Sequence, residues 1–362
     1  MSGFHQQSVL ILGLNSQDGC YLAHALSLNG ARVVGTVRSA KDSLARIQAA
    51  GLLDVEGISI EILDVAVGCE NRLKELLRSR KFDAIYNFLG QSSVGNSFAR
   101  APETLLTNSW FVSQLIDVVS QIAPDARLYL ASSSEIFGPG SKDKVFTEKS
   151  CFDARSPYAI SKADVVWQAR NARAQADIFA SAGITCNHES PFRAGNFVIP
   201  KLISGLVERK EKGVDTPIEL GCVNVVRDWS FAGDIINAII RCMHHHEADD
   251  FIFASGVSSK LSDVVAIIAE ILGWSIEWEI RGEEQLLIDS ATGKSLLRGS
   301  TNPVRQFDAL YVGVDPRHAQ QTLNWNTQLT LTSLLEFLVD SARDVAEGRR
   351  PKLAPPSFQF YV

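Results

Sequence analysis

Tyr158 and Lys162 are separated by Ala159, Ile160 and Ser161. On a helix this spacing puts a phenol and an ammonium one turn apart on one face. A positive charge close by lowers a phenol's pKa. The resulting tyrosinate can take a hydroxyl proton while hydride leaves the same carbon. Upstream, Ser132-Ser133-Ser134-Glu135 closes a short apolar run. A hydroxyl there, on Ser133 or a neighbour, is placed to hydrogen-bond the same substrate oxygen. Glu135 adds a carboxylate that a plain alcohol oxidation does not need and that can serve as a base toward carbon. Its plainer role is that of an acid favoured at a helix start.

Redox chemistry needs a cofactor, and the start of the chain offers a seat for one. The apolar run Val9-Leu10-Ile11-Leu12 ends at Gly13, helical sequence follows from Gly19 to Asn29, and a β-rich run follows from Arg32 to Val37. This β-α-β pattern opens a doubly wound sheet. Its loop, Gly13-Leu14-Asn15-Ser16-Gln17-Asp18-Gly19, sits where a dinucleotide fingerprint belongs: glycines permit the tight turn, and a helix N-terminus meets the pyrophosphate. Ser16 takes the place of the usual middle glycine. Arg38 closes the second strand, where NAD-selective folds carry an acid. It favours NADP through the 2′-phosphate, with NAD the other possibility. Asp64, ending the third strand, is placed to accept from an adenine amino group.

The elements that must position these residues alternate in type. Further strands are expected at Ile58 to Leu63, Ala84 to Phe88, Arg127 to Ala131 and Ile184 to His188, with amphipathic segments such as Asn71 to Ser79 and Thr104 to Ile122 between them. The alternation predicts an α/β fold: a Rossmann-like, doubly wound parallel sheet with helices on both faces. After about residue 190 the pattern loosens into a smaller carboxyl-terminal lobe, with helices at Pro200 to Lys212, Ala232 to His244, Ser262 to Leu272 and Leu331 to Val345. Residues 1–190 are expected to form the cofactor domain, joined by a returning segment near 222–256. Residues 191–348 mainly form a substrate lobe, and 349–362, with three prolines, an extended surface tail.

Composition narrows the function classes. A formal charge of −6 argues against a general nucleic-acid binder, and no apolar run approaches the roughly 20 residues that cross a bilayer. The N-terminus lacks a signal-peptide pattern, and six scattered cysteines without paired spacing suit a reduced, cytoplasmic protein. His244-His245-His246 cannot share one metal, because consecutive helical residues point apart, so no metal is expected.

Taken together, these residues give a chain that resembles the GDP-mannose 4,6-dehydratase family of extended short-chain dehydrogenase/reductases. The likeness rests on Gln17-Asp18-Gly19, Tyr86-Asn87, Gln91-Ser92, Ser134-Glu135 and Arg155-Ser156-Pro157-Tyr158. It continues through Asn187-His188-Glu189-Ser190-Pro191, Asn196-Phe197-Val198 and Arg227-Asp228-Trp229, and it spans roughly residues 8 to 345. The resemblance implies that Ser133, Glu135, Tyr158 and Lys162 are catalytic. It implies that Asp64, Gln91, Ser92, Lys162, His188 and Arg193 contact the cofactor, beside Arg38, Val65, Leu89, Tyr158 and the loop residues Gly13, Asn15, Ser16, Gln17, Asp18 and Gly19. Asn196, Lys201, Arg227 and Arg305 would hold a nucleoside diphosphate, with Ser92, Ser134 and Asn187 completing the substrate site.

The implied reaction is that of an NADP-dependent hydro-lyase. The sugar is oxidised at C4, water is lost across C5 and C6, and hydride returns to C6. The implied assembly is a homodimer or homotetramer. Several positions depart from the family: Ser133 stands for a threonine, Ser93 for a histidine, Gly90 for an alanine and Phe192 for an arginine, and Arg305-Gln306-Phe307-Asp308 replaces an Arg-Pro-x-Glu pattern. GDP-mannose is the first expectation, and a GDP-heptose or another GDP-hexose fits the same residues. The rival readings are a nucleotide-sugar 4-epimerase or 4-reductase on the same scaffold and, in a different class, a non-catalytic NADP-binding sensor or assembly subunit.

Overall fold

The structure, a computed structural model, describes residues 7–65, 69–302 and 309–361. Its centre is a sheet of seven parallel strands: β1 (Ser8–Leu12), β2 (Arg32–Val37), β3 (Ile58–Ile62), β4 (Ala84–Asn87), β5 (Arg127–Ser133), β6 (Ala180–Thr185) and β7 (Asp250–Phe253). Their order across the sheet is β7-β6-β5-β4-β1-β2-β3. The chain runs outward from β1 to β3, then returns to β1's other side at β4. The crevice at such a reversal, beyond the carboxyl ends of the strands, is where this architecture binds ligands.

The apolar run of β1 serves both faces of the sheet. Val9 and Ile11 enter one hydrophobic core, and Leu10 and Leu12 enter the other. Helices cover each face, so a strand buried on both sides reads as a continuous apolar run. Two expected elements differ from what forms. The strand expected at Ile184 to His188 is two: β6 starts earlier, at Ala180, and the chain breaks at Cys186 before a separate strand, Asn187–Glu189, pairs with Val226–Phe231. The start of β6 is hidden in Ala-Ser-Ala-Gly, a poor strand signal. Smallness is needed there, since a Cβ on Gly183 would collide with the Tyr129 hydroxyl of β5. The long helix expected from Thr104 to Ile122 is interrupted by a π-helical turn, Leu106–Trp110, between helices Ala101–Leu105 and Phe111–Ile122.

The smaller lobe packs helices Val198–Lys212, Leu261–Ile271 and Leu331–Ala346 with a four-stranded sheet of Ile276–Arg281, Glu284–Asp289, Ser295–Ser300 and Ile218–Cys222. Helix Ala232–His244 and strand β7 come back from this lobe: the helix packs on helix Gln17–Leu28, and β7 pairs with β6. Residues 349–361 form neither helix nor strand, yet Phe358 is buried in the larger core. No helix among the described residues is long and apolar enough to cross a membrane.

Candidate active site

The cofactor loop is shaped by its glycines and by Ser16. Gly13 adopts φ +90°, a left-handed conformation that side chains disfavour, and a Cβ on Gly19 would collide with the Gly13 carbonyl oxygen. Ser16 is the N-cap of helix Gln17–Leu28, and its hydroxyl accepts from the Gly19 amide at 2.9 Å. A cap of this kind stabilises a helix by about 1 kcal/mol. The serine that stands for the middle glycine therefore fixes the start of the helix that follows the loop.

Gln17 and Asp18 bind the loop to the strand Asn187–Glu189. The Gln17 amide donates to the His188 carbonyl at 3.1 Å and accepts from the Ser190 hydroxyl at 2.7 Å. His188 places Nε2 3.0 Å from an Asp18 carboxylate oxygen and Nδ1 2.8 Å from the Cys186 carbonyl. Both ring nitrogens face acceptors, so both must donate, and the ring is favoured as an imidazolium. Burial alone would lower the His188 pKa, but the Asp18 charge and hydrogen bond outweigh it and raise the value. Burial would raise the Asp18 pKa, and the His188 charge reverses that to hold it below its ordinary range. Asp18 and His188 thus form an ion pair at the floor of the site.

Arg38 and Asp64 lie further out. They face one another at 3.7 Å, and both side chains are 62% exposed. The arginine that reaches the loop is Arg46, which the sequence reading missed. From helix Ala40–Ala49 it donates to the Asn15 carbonyl at 2.5 Å and lines the same cleft as Ser16 and Gln17. Its position one helix beyond the second strand gave no motif to read.

The reacting groups meet at the carboxyl end of β5. Ser156 caps helix Pro157–Gln175, its hydroxyl accepting from the Ala159 amide, and Pro157 takes the first position, where its missing N–H costs nothing. Tyr158 is therefore in the first turn and Lys162 one turn on. A cleft of about 600 Å³ is lined by Ser133, Glu135, Tyr158 and Lys162 together. Ser133 hydrogen-bonds the Tyr158 side chain, and Arg227 lies 3.8 Å from the Glu135 carboxylate.

One expectation is reversed. Burial raises the Tyr158 pKa, with the Glu135 charge adding to the rise against Ser133 and Arg193. Lys162 does not offset this: its ammonium donates to the Ala131 carbonyl at 2.8 Å and stands 6.0 Å from the Tyr158 ring centre. Burial lowers Lys162 itself to about 8.

Asn108 is a second residue that sequence reading missed. It sits in the π-helical turn, accepts from the Gln91 amide at 2.7 Å, and donates to the Gln91 carbonyl and to Ser161 at 2.9 and 3.1 Å. It thus ties the loop after β4 to the helix of Tyr158. A signal existed: Thr107-Asn108-Ser109 interrupts the apolar face of an otherwise amphipathic helix, and π turns mark functional positions. A Cβ on Gly90 would stand 2.5 Å from the Asn108 side-chain oxygen, which accounts for glycine there. Gln91 closes its side chain onto the Ser93 backbone, and Ser92 is exposed beside it in the cleft.

Leu89, Asn187, Arg193, Asn196 and Lys201 also line the cleft, the last three toward the smaller lobe. Lys201 donates to the Glu219 carbonyl at 2.6 Å, and the Arg193 guanidinium lies 3.7 Å over the Phe197 ring. Val65 packs against the core, outside the cleft lining. Ser134 is buried and bonds the Cys186 thiol, so it does not face the cleft as the sequence reading expected. Arg305 lies outside the described residues.

Residues 10–338 match the family described as GDP-mannose 4,6 dehydratase. The chain belongs to that family. The human GDP-mannose 4,6 dehydratase is 30% identical over 336 residues, covering 91% of this chain and 90% of its own. A GDP-mannose 4,6-dehydratase of Sordaria araneosa is also 30% identical, over 92% of this chain but 60% of its own length. Among solved structures, the dTDP-glucose 4,6-dehydratase DesIV of Streptomyces venezuelae, with NAD and TYD bound, has the same fold: TM-score 0.79 at 19% identity, over 96% of this chain and all of that one. Within the GDP-mannose 4,6-dehydratase family, this member's departures now have places. Ser16 caps a helix and Gly90 makes room for Asn108. Phe192 is buried edge-on to Tyr21, at 6.0 Å between ring centres.

Proposed function

We infer that the protein is a nucleotide-sugar 4,6-dehydratase that converts a GDP-hexose, GDP-mannose foremost, to its 4-keto-6-deoxy product. The observation that carries this reading is Glu135 opening into the same cleft as Tyr158, Ser133 and Lys162. Epimerisation or reduction at C4 needs no carboxylate there. Loss of water across C5 and C6 needs one.

The donor set fits a nicotinamide dinucleotide. A capped helix N-terminus, Arg46 and Arg193 supply positive charge along the cleft beside Tyr158 and Lys162. A nicotinamide held there would supply the reversible hydride acceptance that oxidation at C4 and reduction at C6 require. Tyr158 receives the O4 proton, with Ser133 holding the same oxygen. A phenol kept protonated by burial becomes a base only with a cation beside it, and Arg193 supplies one. The C4 ketone acidifies the C5 proton, which Glu135 removes and passes to the departing C6 hydroxyl as water leaves; when hydride returns to C6, C5 takes up the proton that Tyr158 received from O4. Arg227, 3.8 Å from the Glu135 carboxylate, places a positive charge beside it.

NADP is the favoured cofactor, because Arg46 reaches the loop and β2 is followed by Arg38 rather than an acid. Residues 1–190, with the returning segment near 222–256, carry the cofactor, and residues 191–348 mainly carry the substrate through Asn196 and Lys201. Trp110 and Trp167, 56% and 54% exposed on neighbouring outer helices, support self-association. Mass spectrometry of products from GDP-, dTDP-, CDP- and UDP-sugars tests the reading. Loss of one water from a GDP-hexose is expected; turnover without loss of mass would make the protein an epimerase.

A further inference from the structure

We propose that residues 351–361 are a strap that sets cofactor affinity, with Tyr21 as the positioning residue that carries its effect to the glycine loop. The proposal rests on the cofactor seat described above. The strap lies beyond residues 10–338, the part of the chain that the family match covers.

Two sets of contacts hold the strap. At its far end, Asn237 and Gln328 act as substitutes for a neighbouring strand. Asn237 donates to the Gln359 carbonyl at 2.9 Å and accepts from the Tyr361 amide at 2.7 Å. Gln328 donates to the Gln359 carbonyl at 2.7 Å and accepts from its amide at 3.0 Å. Near its start, the Leu353 carbonyl accepts from the Tyr21 hydroxyl at 2.5 Å. Tyr21 is fully buried with the strap in place, and its hydroxyl also hydrogen-bonds Ser190, the residue that holds Gln17.

Tyr21 lies one helical turn after Gln17, on the same side of helix Gln17–Leu28. Its ring packs edge-on to Phe231 at 5.6 Å and Phe192 at 6.0 Å, and tilted against Phe360 at 6.3 Å. Phe358 closes on Phe231 at 4.9 Å, with a Cβ on Gly233 excluded by both rings. The strap's Phe360 and the cleft-lining Phe192 therefore both pack against Tyr21, and Phe358 reaches it through Phe231. Phe192 precedes Arg193, lines the cleft, and donates its amide to Ser190, the hydroxyl that holds Gln17. A phenylalanine where the family has arginine thus completes an aromatic path from the strap to the wall of the cofactor seat. Loosening the strap frees the helix whose first turn faces the pyrophosphate, and leaves Glu135 and Tyr158 untouched.

The test uses two variants, a chain ending at Arg350 and Tyr21→Phe in the full chain, with NADP and NAD titrated by calorimetry. Because binding is read directly, the result does not depend on which sugar is dehydrated. The truncated protein is expected to bind NADP about tenfold more weakly, equivalent to about 1.4 kcal/mol, with kcat at saturating cofactor retained. Tyr21→Phe keeps the rings but drops the hydroxyl's bonds to Leu353 and Ser190, and it is expected to show a smaller loss of the same kind. If the truncated chain folds and its affinity is unchanged, the proposal is overturned. If it fails to fold, the Tyr21→Phe affinity decides: unchanged binding overturns the proposal, and weaker binding with unaltered kcat sustains it.

Discussion

Around Tyr158 several polar side chains are tied to backbone: Lys162 to Ala131, Asn108 to Gln91, Gln17 to His188. At the other end of the cleft Asn196, Lys201 and Glu219 stand exposed, and Lys201 has its hydrogen bond on the Glu219 carbonyl. One end is ordered before any ligand arrives. The other keeps its polar groups in water. Preorganisation concentrates where protons must move between defined atoms, because a misplaced base loses far more than a misplaced phosphate contact. Sugar choice and nucleotide affinity can then vary in the smaller lobe without disturbing the chemistry.

Substitutions should expose this asymmetry, most strongly at the ordered end. Glu135→Gln is expected to lower dehydration by about 10²–10⁴-fold, with cofactor binding retained in calorimetry; undiminished turnover would take the ordered end out of the reaction. Asp18→Asn should cost about 3 kcal/mol of stability in thermal melts, since it strands a buried imidazolium. The sign with pH follows from the two shifts. His188 is raised above 6.5, so its contribution is complete below 6.5 and fades as pH rises through the raised value. Asp18 is lowered below 3.8, so its contribution is complete above 3.8 and fades as pH falls through the lowered value. The penalty should therefore be largest near pH 5, and the variant's stability should be flatter with pH on both sides.

Smaller effects belong to the more open groups. Arg46→Ala is expected to weaken NADP about tenfold and NAD less, a difference that reports a contact with the extra phosphate; equal losses would place Arg46 on the pyrophosphate. Lys201→Ala should raise the KM for the GDP-sugar about fivefold or less, as suits an exposed charge, and leave kcat unchanged. A large fall in kcat there would erase the distinction between the two ends.

Much of this was legible in the chain itself, because parts of the fold write short, local signals. β1, its glycine loop and the helix after it follow one another within a few residues, and Ser156-Pro157 marks the start of the catalytic helix. What was hidden depends on distant partners. β6 begins in Ala-Ser-Ala-Gly because Tyr129 needs the space, a fact of β5 rather than of local propensity. Arg46 reaches Asn15 across a turn of chain, and Asn108 finds Gln91 only once the π turn has formed. The phenol's pKa was misjudged for a related reason: helical spacing puts Lys162 near Tyr158, but the ammonium binds the Ala131 carbonyl of β5 instead.

If one cleft oxidises C4, eliminates water and returns the same hydride to C6, the hydride can be followed with GDP-mannose carrying deuterium at C4 and the product's label located by NMR. A 4-keto-6-deoxy sugar with the deuterium on the C6 methyl group is expected. Deuterium found again at C4, or lost to solvent with the C6 hydroxyl still present, would contradict it.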